Sequence, residues 1–399
     1  MVRAAAQRAR AAATAGGDTA MQQQQLAVAE APAGALALEE ADDILLIDQL
    51  ATLGINAGDI KKAKEAGYCT VKSLLMVPKK ELWAIKGLSE AKVDKVLDAA
   101  RKLCEIGFMT GNQFLEARKR VLKITTGVQA IDQILGGGFE TACLTEIFGE
   151  HKTGKTQLCN QVGAPRPPAP PPRPSRCPPA ARPRPGERLT DLRPATPRSQ
   201  LAVTAQLGLE QGGGLGKVCV IDTENSFRPE NIGPIAERYQ LVPEDVLENI
   251  VYTKAFTSDS QMQIIEQLGA LFSTERYSVL IIDSIMALFR TDYTGRGMLA
   301  ERQQNLSRML GRLKKVAEEY NIAVVMTNQV QSDPSGQMFV ADPKKHVGGH
   351  VLAHASTVRL MTRNGRAGTK VLKVEQHPSM PQNDAGFSIT EQGVADADV

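Results

Sequence analysis

The chain has 399 residues, 42% of them apolar and 23% charged, with only 4% aromatic side chains and a formal net charge of +3. That length allows two domains, and the composition is that of a folded chain with an aliphatic core. No apolar run reaches the ~18 uncharged residues of a membrane span, so no membrane partner is expected. The six cysteines are scattered, without a C-x-x-C pair or a nearby histidine cluster, which speaks against structural zinc and disulfides and for a reducing compartment. The positive balance comes from one place: residues 162–200 carry eight arginines against Glu187 and Asp191, so the rest of the chain is acidic. A polyanion-binding reading must therefore rest on local loops.

Residues 1–40 are Ala/Gln-rich without hydrophobic period and read as a disordered tail. Arg3, Arg8 and Arg10 precede the first acid, as in a transit peptide, but the absence of Ser and the poor amphipathicity argue against an organelle address. Met21 is a second possible start. From 41 to 105 short apolar-periodic segments alternate with Gly: Leu50–Leu53, Asp59–Ala66, Val71–Met76, Lys79–Ile85 and Ser89–Cys104. The last starts at a capping Ser89, and the five together make a small all-α domain. Residues 106–124 read as a linker.

From 125 to 399 apolar strands alternate with amphipathic helices. Cys143–Ile147, Val218–Ile221, Val279–Ile282 and Ala323–Met326 have the character of buried parallel strands, with helices at Gln261–Phe272 and Leu299–Tyr320 between them. Further strands are expected at Val358–Met361, Val371–Val374 and Gly386–Ile389. The pattern predicts an α/β fold with a mostly parallel sheet.

Gly149-Glu150-His151-Lys152-Thr153-Gly154-Lys155-Thr156 follows the first of these strands and fits G-x-x-x-x-G-K-[ST] without a mismatch. In that context the backbone N–H groups cradle a triphosphate, Lys155 reaches the β and γ phosphates, and the Thr156 hydroxyl ligates Mg²⁺, so ATP and Mg²⁺ are the expected cofactors. The run Val279-Leu280-Ile281-Ile282-Asp283 ends a buried strand in an acid placed to hold a metal-bound water. Asp222 and Glu224 both follow another strand, and either can polarise an attacking water. Two later loops suit DNA. The first, 290–302, offers Arg290, Arg296 and Arg302 around Gly295 and Gly297. The second, 330–349, carries Met338, Phe339, Lys344 and Lys345, an apolar wedge beside two cations. Gln329 sits where the γ phosphate can be reported to that loop.

GEHKTGKT at 149–156, IDTENSFRPE at 221–230, LIIDSIMALFRTDYTGRG at 280–297 and ADPKKHVGG at 341–349 together resemble the eukaryotic RecA-like DNA strand-exchange recombinases, with IDTEN, IIDSIMALF and AERQQ leaning toward the meiosis-specific member. The resemblance covers about 41–161 and 201–399. It implies a RecA-like ATPase core behind a helix-hairpin-helix domain, with Ile85–Leu88 as the hairpin. It further implies Glu224 as the water-activating residue, Gln329 as the γ-phosphate sensor, and Asp342 and Pro343 capping ATP from the adjacent subunit. Phe108 would anchor a homo-oligomeric filament or ring, although Gly111 stands where the family has Ala. The expected partners are single- and double-stranded DNA and recombination mediator proteins, in the nucleus. A non-catalytic assembly factor, a hexameric helicase and an inactive mis-spliced product are the competing readings.

Residues 162–200 interrupt this pattern. Thirteen of the chain's 22 prolines lie there, splitting what relatives have as one helix after the phosphate loop. Val codons begin with GT and Gln can be CAG, so the 39 residues can start and end in splice-site letters and preserve frame. The segment reads as a retained intron, with a lineage-specific disordered loop as the alternative.

Overall fold

The computed structural model describes residues 44–104, 107–150, 153–155, 200–332, 344–366, 368–390 and 392–397. The tail 1–40 and the segment 162–199 lie outside them, as do His151, Lys152, Thr156, Phe339, Asp342 and Pro343.

A 3-10 turn at Ile47–Leu53 is followed by α1 (Ala57–Glu65), α2 (Val71–Leu75), α3 (Lys79–Trp83) and α4 (Glu90–Leu103). Their starts are set by side chains that satisfy orphan N–H groups: Asn56 accepts from Gly58, and Thr70 and Ser73 cap each other reciprocally. Ser89 heads α4 as its sequence suggests, yet its side chain makes no cap hydrogen bond. Ile47, Leu50, Val71, Leu74, Val93, Leu97 and Ala100 close a core of their own. This helical part is tied to the rest of the body by Thr70 Oγ1 donating to Glu319 and Lys72 Nζ donating to the Glu318 carbonyl. The Arg312 guanidinium also lies over the Tyr68 ring.

Next come α5 (Gly111–Arg118), β1 (Lys123–Ile124), α6 (Gln129–Leu135), β2 (Phe139–Glu140), β3 (Leu144–Gly149), α7 (Gln200–Thr204) and β4 (Lys217–Asp222). Then follow α8 (Ile232–Arg238), α9 (Pro243–Glu248), β5 (Ile250–Lys254), α10 (Ser258–Phe272), β6 (Tyr277–Asp283), α11 (Ala287–Thr291) and α12 (Leu299–Glu319). The chain closes with β7 (Ala323–Ser332), β8 (Lys344–His346), α13 (Gly349–Ala355) and the strands β9 (Val358–Asn364), β10 (Lys370–Gln376), β11 (Asp384–Thr390) and β12 (Gly393–Asp396).

The main sheet has the order β12-β11-β10-β9-β3-β7-β6-β4-β5, with β8 paired to β7. From β9 to β5 every pair is parallel, and β9 to β12 form an antiparallel meander. Alternate residues of the parallel strands serve two cores. Ile147, Val218, Val220, Val279, Ile281 and Val325 pack on one face, and Leu144, Cys219, Ile221, Leu280, Ile282 and Val324 on the other, against Leu306, Leu310 and Leu313 of α12. Leu201, Ala202 and Ala205 are fully buried in the first core, so the chain docks on the sheet directly after residue 199.

Two strands depart from the sequence pattern. β7 continues past Met326 to Ser332 because its end pairs antiparallel with β8, Val330 opposite His346. β5 carries only half-buried or exposed side chains, as an edge strand does, and so shows no apolar run.

Candidate active site

The C-terminal ends of β3, β4, β6 and β7 lie side by side: Gly149 is in register with Gln329, and Asp222 with Asp283. This is the edge at which parallel α/β sheets receive ligands. The fully buried β3 delivers the Gly-rich loop. A Cβ on Gly149 would lie 2.3 Å from the Thr362 carbonyl oxygen, so only glycine allows the loop to leave the strand there. Gly154 turns the chain at φ +90°, the left-handed region glycine favours. Thr153 Oγ1 donates to the Glu150 carbonyl (2.8 Å), and Lys155 Nζ donates to the carbonyls of Gly149 (2.9 Å) and Glu150 (2.5 Å). The Lys155 ammonium is thus held by two carbonyls at the start of its own loop, a cation at the end of β3.

Opposite the loop stand three acids with different surroundings. Asp222 is buried and accepts from the backbone N–H groups of Glu224 (3.0 Å), Ser226 (2.7 Å) and Phe227 (2.9 Å), with Tyr252 Oη at 3.3 Å. Its lone pairs are committed to shaping the turn, an Asx-type local bond that presents the next acid. Asp283 is buried and receives Thr327 Oγ1 (2.5 Å) and Ser226 Oγ (2.8 Å), one on each carboxylate oxygen. Each of its oxygens keeps a further lone pair, which suits a carboxylate that holds a hydrated cation. Glu224 is the acid that reaches the mouth of the site, and Gln329 Nε2 donates to its Oε1 at 2.9 Å. Surrounding protein pushes its carboxyl above the ordinary glutamate range, and the Asp283 charge adds to this; the Gln329 amide and Lys155 pull the other way. Between Asp222 and Glu224, the physical environment therefore favours Glu224 as the group free to take a proton.

Gln329 has a second partner. Arg290 Nη1 donates to its Oε1 at 2.6 Å, so one amide joins an arginine of α11 to the acid of the β4 turn. Arg290 is exposed but sits on a helix rather than in the loop the sequence suggests. Arg302 also lies in a helix, the first turn of α12, because that periodic helix begins three residues earlier. Arg296 falls in a 3-10 turn after Gly295. Lys344 and Lys345 form β8 opposite Ser332 and Gln331, which makes the base of the second loop a hairpin. Phe108 is fully exposed. Sequence reasoning missed Ser226, Thr327 and the Arg290–Gln329 bond. The two hydroxyls sit at strand ends beside acids, a weak signal; the bond has none.

The neighbour of Gln329 points the other way across the strand. Asn328 is buried and donates to Glu146 Oε1 (2.8 Å) and to the Val347 carbonyl (2.7 Å). Arg359 Nε donates to the other oxygen of the buried Glu146 at 2.9 Å, and its guanidinium lies over the Phe148 ring. Among the described residues no cluster of three or more His, Cys, Asp or Glu side chains forms a metal cage, and no helix is long and apolar enough to cross a membrane.

The Rad51 family profile matches residues 117–165 and 196–397 and skips the Pro/Arg-rich stretch between them. The chain is 49% identical over 359 residues to the meiotic recombination protein DMC1 homolog of Arabidopsis thaliana, covering 90% of this chain and 93% of that protein. It is 46% identical over 354 residues to the meiotic recombination protein DMC1/LIM15 homolog of Homo sapiens, covering 88% and 93%. With its phosphate loop, its two buried strand-end acids and its sheet order in place, the chain belongs to the Rad51 family.

Proposed function

We propose that this protein is an ATP-dependent DNA strand-exchange recombinase that forms a filament on single-stranded DNA during homologous recombination, in meiotic nuclei. The observation that carries the reading is the meeting of Lys155, Asp283, Glu224 and Gln329 at one edge of the sheet, from four different strands or their following turns. The residues suit ATP with Mg²⁺: a glycine cradle, a cation, a hydroxyl at Thr156 and a carboxylate at Asp283. Bound there, the nucleotide and metal would supply the phosphoryl group and neutralise its charge.

The chain's own groups would divide the work. Gly149, Glu150, His151, Lys152, Thr153 and Gly154 wrap the phosphates with backbone N–H groups, and Lys155 balances their charge. Glu224, its proton affinity raised, takes the proton of the attacking water. Gln329 orients that carboxylate. Arg290, Arg296, Arg302, Lys344, Lys345 and Phe339 grip DNA. Exposed Phe108 seats on a neighbouring copy, and Asp342 and Pro343 close the nucleotide site from the next subunit. Residues 41–105 contact duplex phosphates as an accessory domain, and 106–124 carry the polymerisation contact. Residues 162–200 are an insert within the core, a retained intron, which the interrupted profile match supports.

D-loop formation with ATP, by the full chain and by the chain lacking 162–200, tests the reading. Strand exchange that is abolished by Lys155→Ala is the expected result. ATP binding without any exchange, in both forms, would refute it.

A further inference from the structure

The outer face of α13 carries a pair of histidines that the nucleotide site does not use. Gly348 and Gly349 turn the chain into this helix at positive φ, and buried Leu352 anchors it in the core. On its exposed side His350 and His354, four residues apart, stand one helical turn above the other. Their imidazole rings are stacked, with centroids 6.0 Å apart and planes inclined by 26°. Apart from this ring contact, neither imidazole has a partner among the described residues. His346, four residues earlier, is not part of the pair. It lies in β8, where its Nε2 is 3.2 Å from the Gly349 carbonyl oxygen and its ring rests near Phe148.

From this geometry we infer that His350 and His354 together bind a divalent transition-metal ion, Zn²⁺, as a two-histidine chelate whose other coordination positions hold water. Imidazole nitrogen suits zinc and copper, whereas Mg²⁺ and Ca²⁺ prefer oxygen. Two histidines at this spacing on one helix face are the arrangement that helical zinc sites use. Zinc–nitrogen bonds of about 2.0–2.1 Å put each ring centre about 3.2 Å from the ion. Two rings sharing one ion therefore stand roughly 4.5–6.4 Å apart, and the observed 6.0 Å falls inside that window. The spacing exists only while the helix does. Because α13 is seven residues long, it is too short to persist by itself, so an ion bridging its turns favours the folded helix. α13 follows β8, which closes the base of the loop 330–349 against β7. The ion thus staples the C-terminal anchor of that loop. The inference stands apart from the function proposed above, since it needs neither nucleotide nor DNA.

The test is a Zn²⁺ titration of the metal-free full chain against a chromophoric chelator, with Mg²⁺ in excess to fill oxygen sites. The wild type should hold a Zn²⁺ ion whose affinity falls at least about tenfold in His350→Gln and in His354→Gln, because either change removes the high effective concentration of the second ligand. His377→Gln is the control: that ring accepts from the backbone N–H groups of Ser379 and Met380, and its loss should leave Zn²⁺ affinity unchanged. With Cu²⁺ as the probe, electron paramagnetic resonance should show two bound imidazole nitrogens in the wild type and one in either variant. Both rings are exposed, so the variants should keep the metal-free unfolding midpoint, and Zn²⁺ should raise that midpoint less in them than in the wild type. The chelate is overturned if either substitution changes Zn²⁺ affinity by less than about threefold, or if the Cu²⁺ spectra of wild type and variants show the same nitrogen count.

Discussion

Asn328 and Gln329 are adjacent on β7, yet their side chains enter two networks of opposite character. Asn328 turns into the sheet, where Glu146 is buried and matched by Arg359. Gln329 turns to the site, where it bridges exposed Arg290 and Glu224. Strand geometry alone separates them, since successive residues face opposite sides. The difference teaches where stability and chemistry are kept apart. A buried charge network has no water to replace a lost partner, so it is rigid and costly to break. The exposed chain can exchange any partner for water or ligand, so it contributes little to folding and is free to respond.

The largest effect should fall on chemistry in the exposed arm. Glu224→Gln should lower ATP turnover about 10²- to 10⁴-fold, the range for loss of a general base, while leaving ATP affinity close to that of the wild type. Single-turnover kinetics beside equilibrium nucleotide binding would show this split. A glutamine variant that hydrolyses normally would return the role to another acid and remove the contrast between the two arms.

The buried arm should respond in stability instead. Arg359→Ala leaves Glu146 buried with one oxygen uncompensated, and should cost roughly 3–5 kcal/mol in urea unfolding at neutral pH. Replacing both members, as Glu146→Met with Arg359→Met, should recover most of that loss because no unpaired charge remains. A cost below about 1 kcal/mol for the single change would mean that water reaches Glu146, and the two arms would then differ less than their burial implies.

How much of this was legible in the sequence follows the same division. The phosphate loop is contiguous, so its eight residues announce themselves, and the parallel strands stand out as apolar runs because both faces are buried. Asp283 follows such a run. Pairs fixed by sheet register are invisible: Arg290 and Gln329 lie 39 residues apart, and Glu146 and Arg359 lie 213 apart. Nothing local marks either partner. Glu146 looks like a solvated acid interrupting Leu144–Phe148, yet it is fully buried. The choice of Glu224 over Asp222 could not be made from spacing, since both follow the same strand. The family resemblance implied it, and the backbone donors gathered around Asp222 are a physical reason for it.

An intermediate case sharpens the comparison. Glu319, at the seam between the helical part and α12, accepts from Thr70, but burial dominates and holds its carboxyl above its ordinary value of 4.5. The folded chain therefore binds this proton more tightly than the unfolded chain does. Ionising Glu319 subtracts from stability, and the loss is absent below about pH 4.5 and grows as pH rises to the raised folded value. Glu319→Gln, which can still accept from Thr70, should raise the unfolding midpoint at pH 7 and not at pH 4. A variant less stable at pH 7 would show that the ionised form is needed there, the mark of a true charge partner such as Glu146 has in Arg359.

The smallest effect is the one that most directly tests why the two arms differ. Arg290→Met and Gln329→Met should each change unfolding free energy by no more than about 0.5 kcal/mol, as expected for surface changes away from any cap, cavity or buried charge. The physical reason is that water replaces each lost hydrogen bond, so little net energy is at stake between folded and unfolded chains. Partners that cost little to leave are what an exchangeable contact requires. If either variant instead lost about 2 kcal/mol or more in urea unfolding, the Arg290–Gln329 bond would be a structural tie like Asn328 to Glu146.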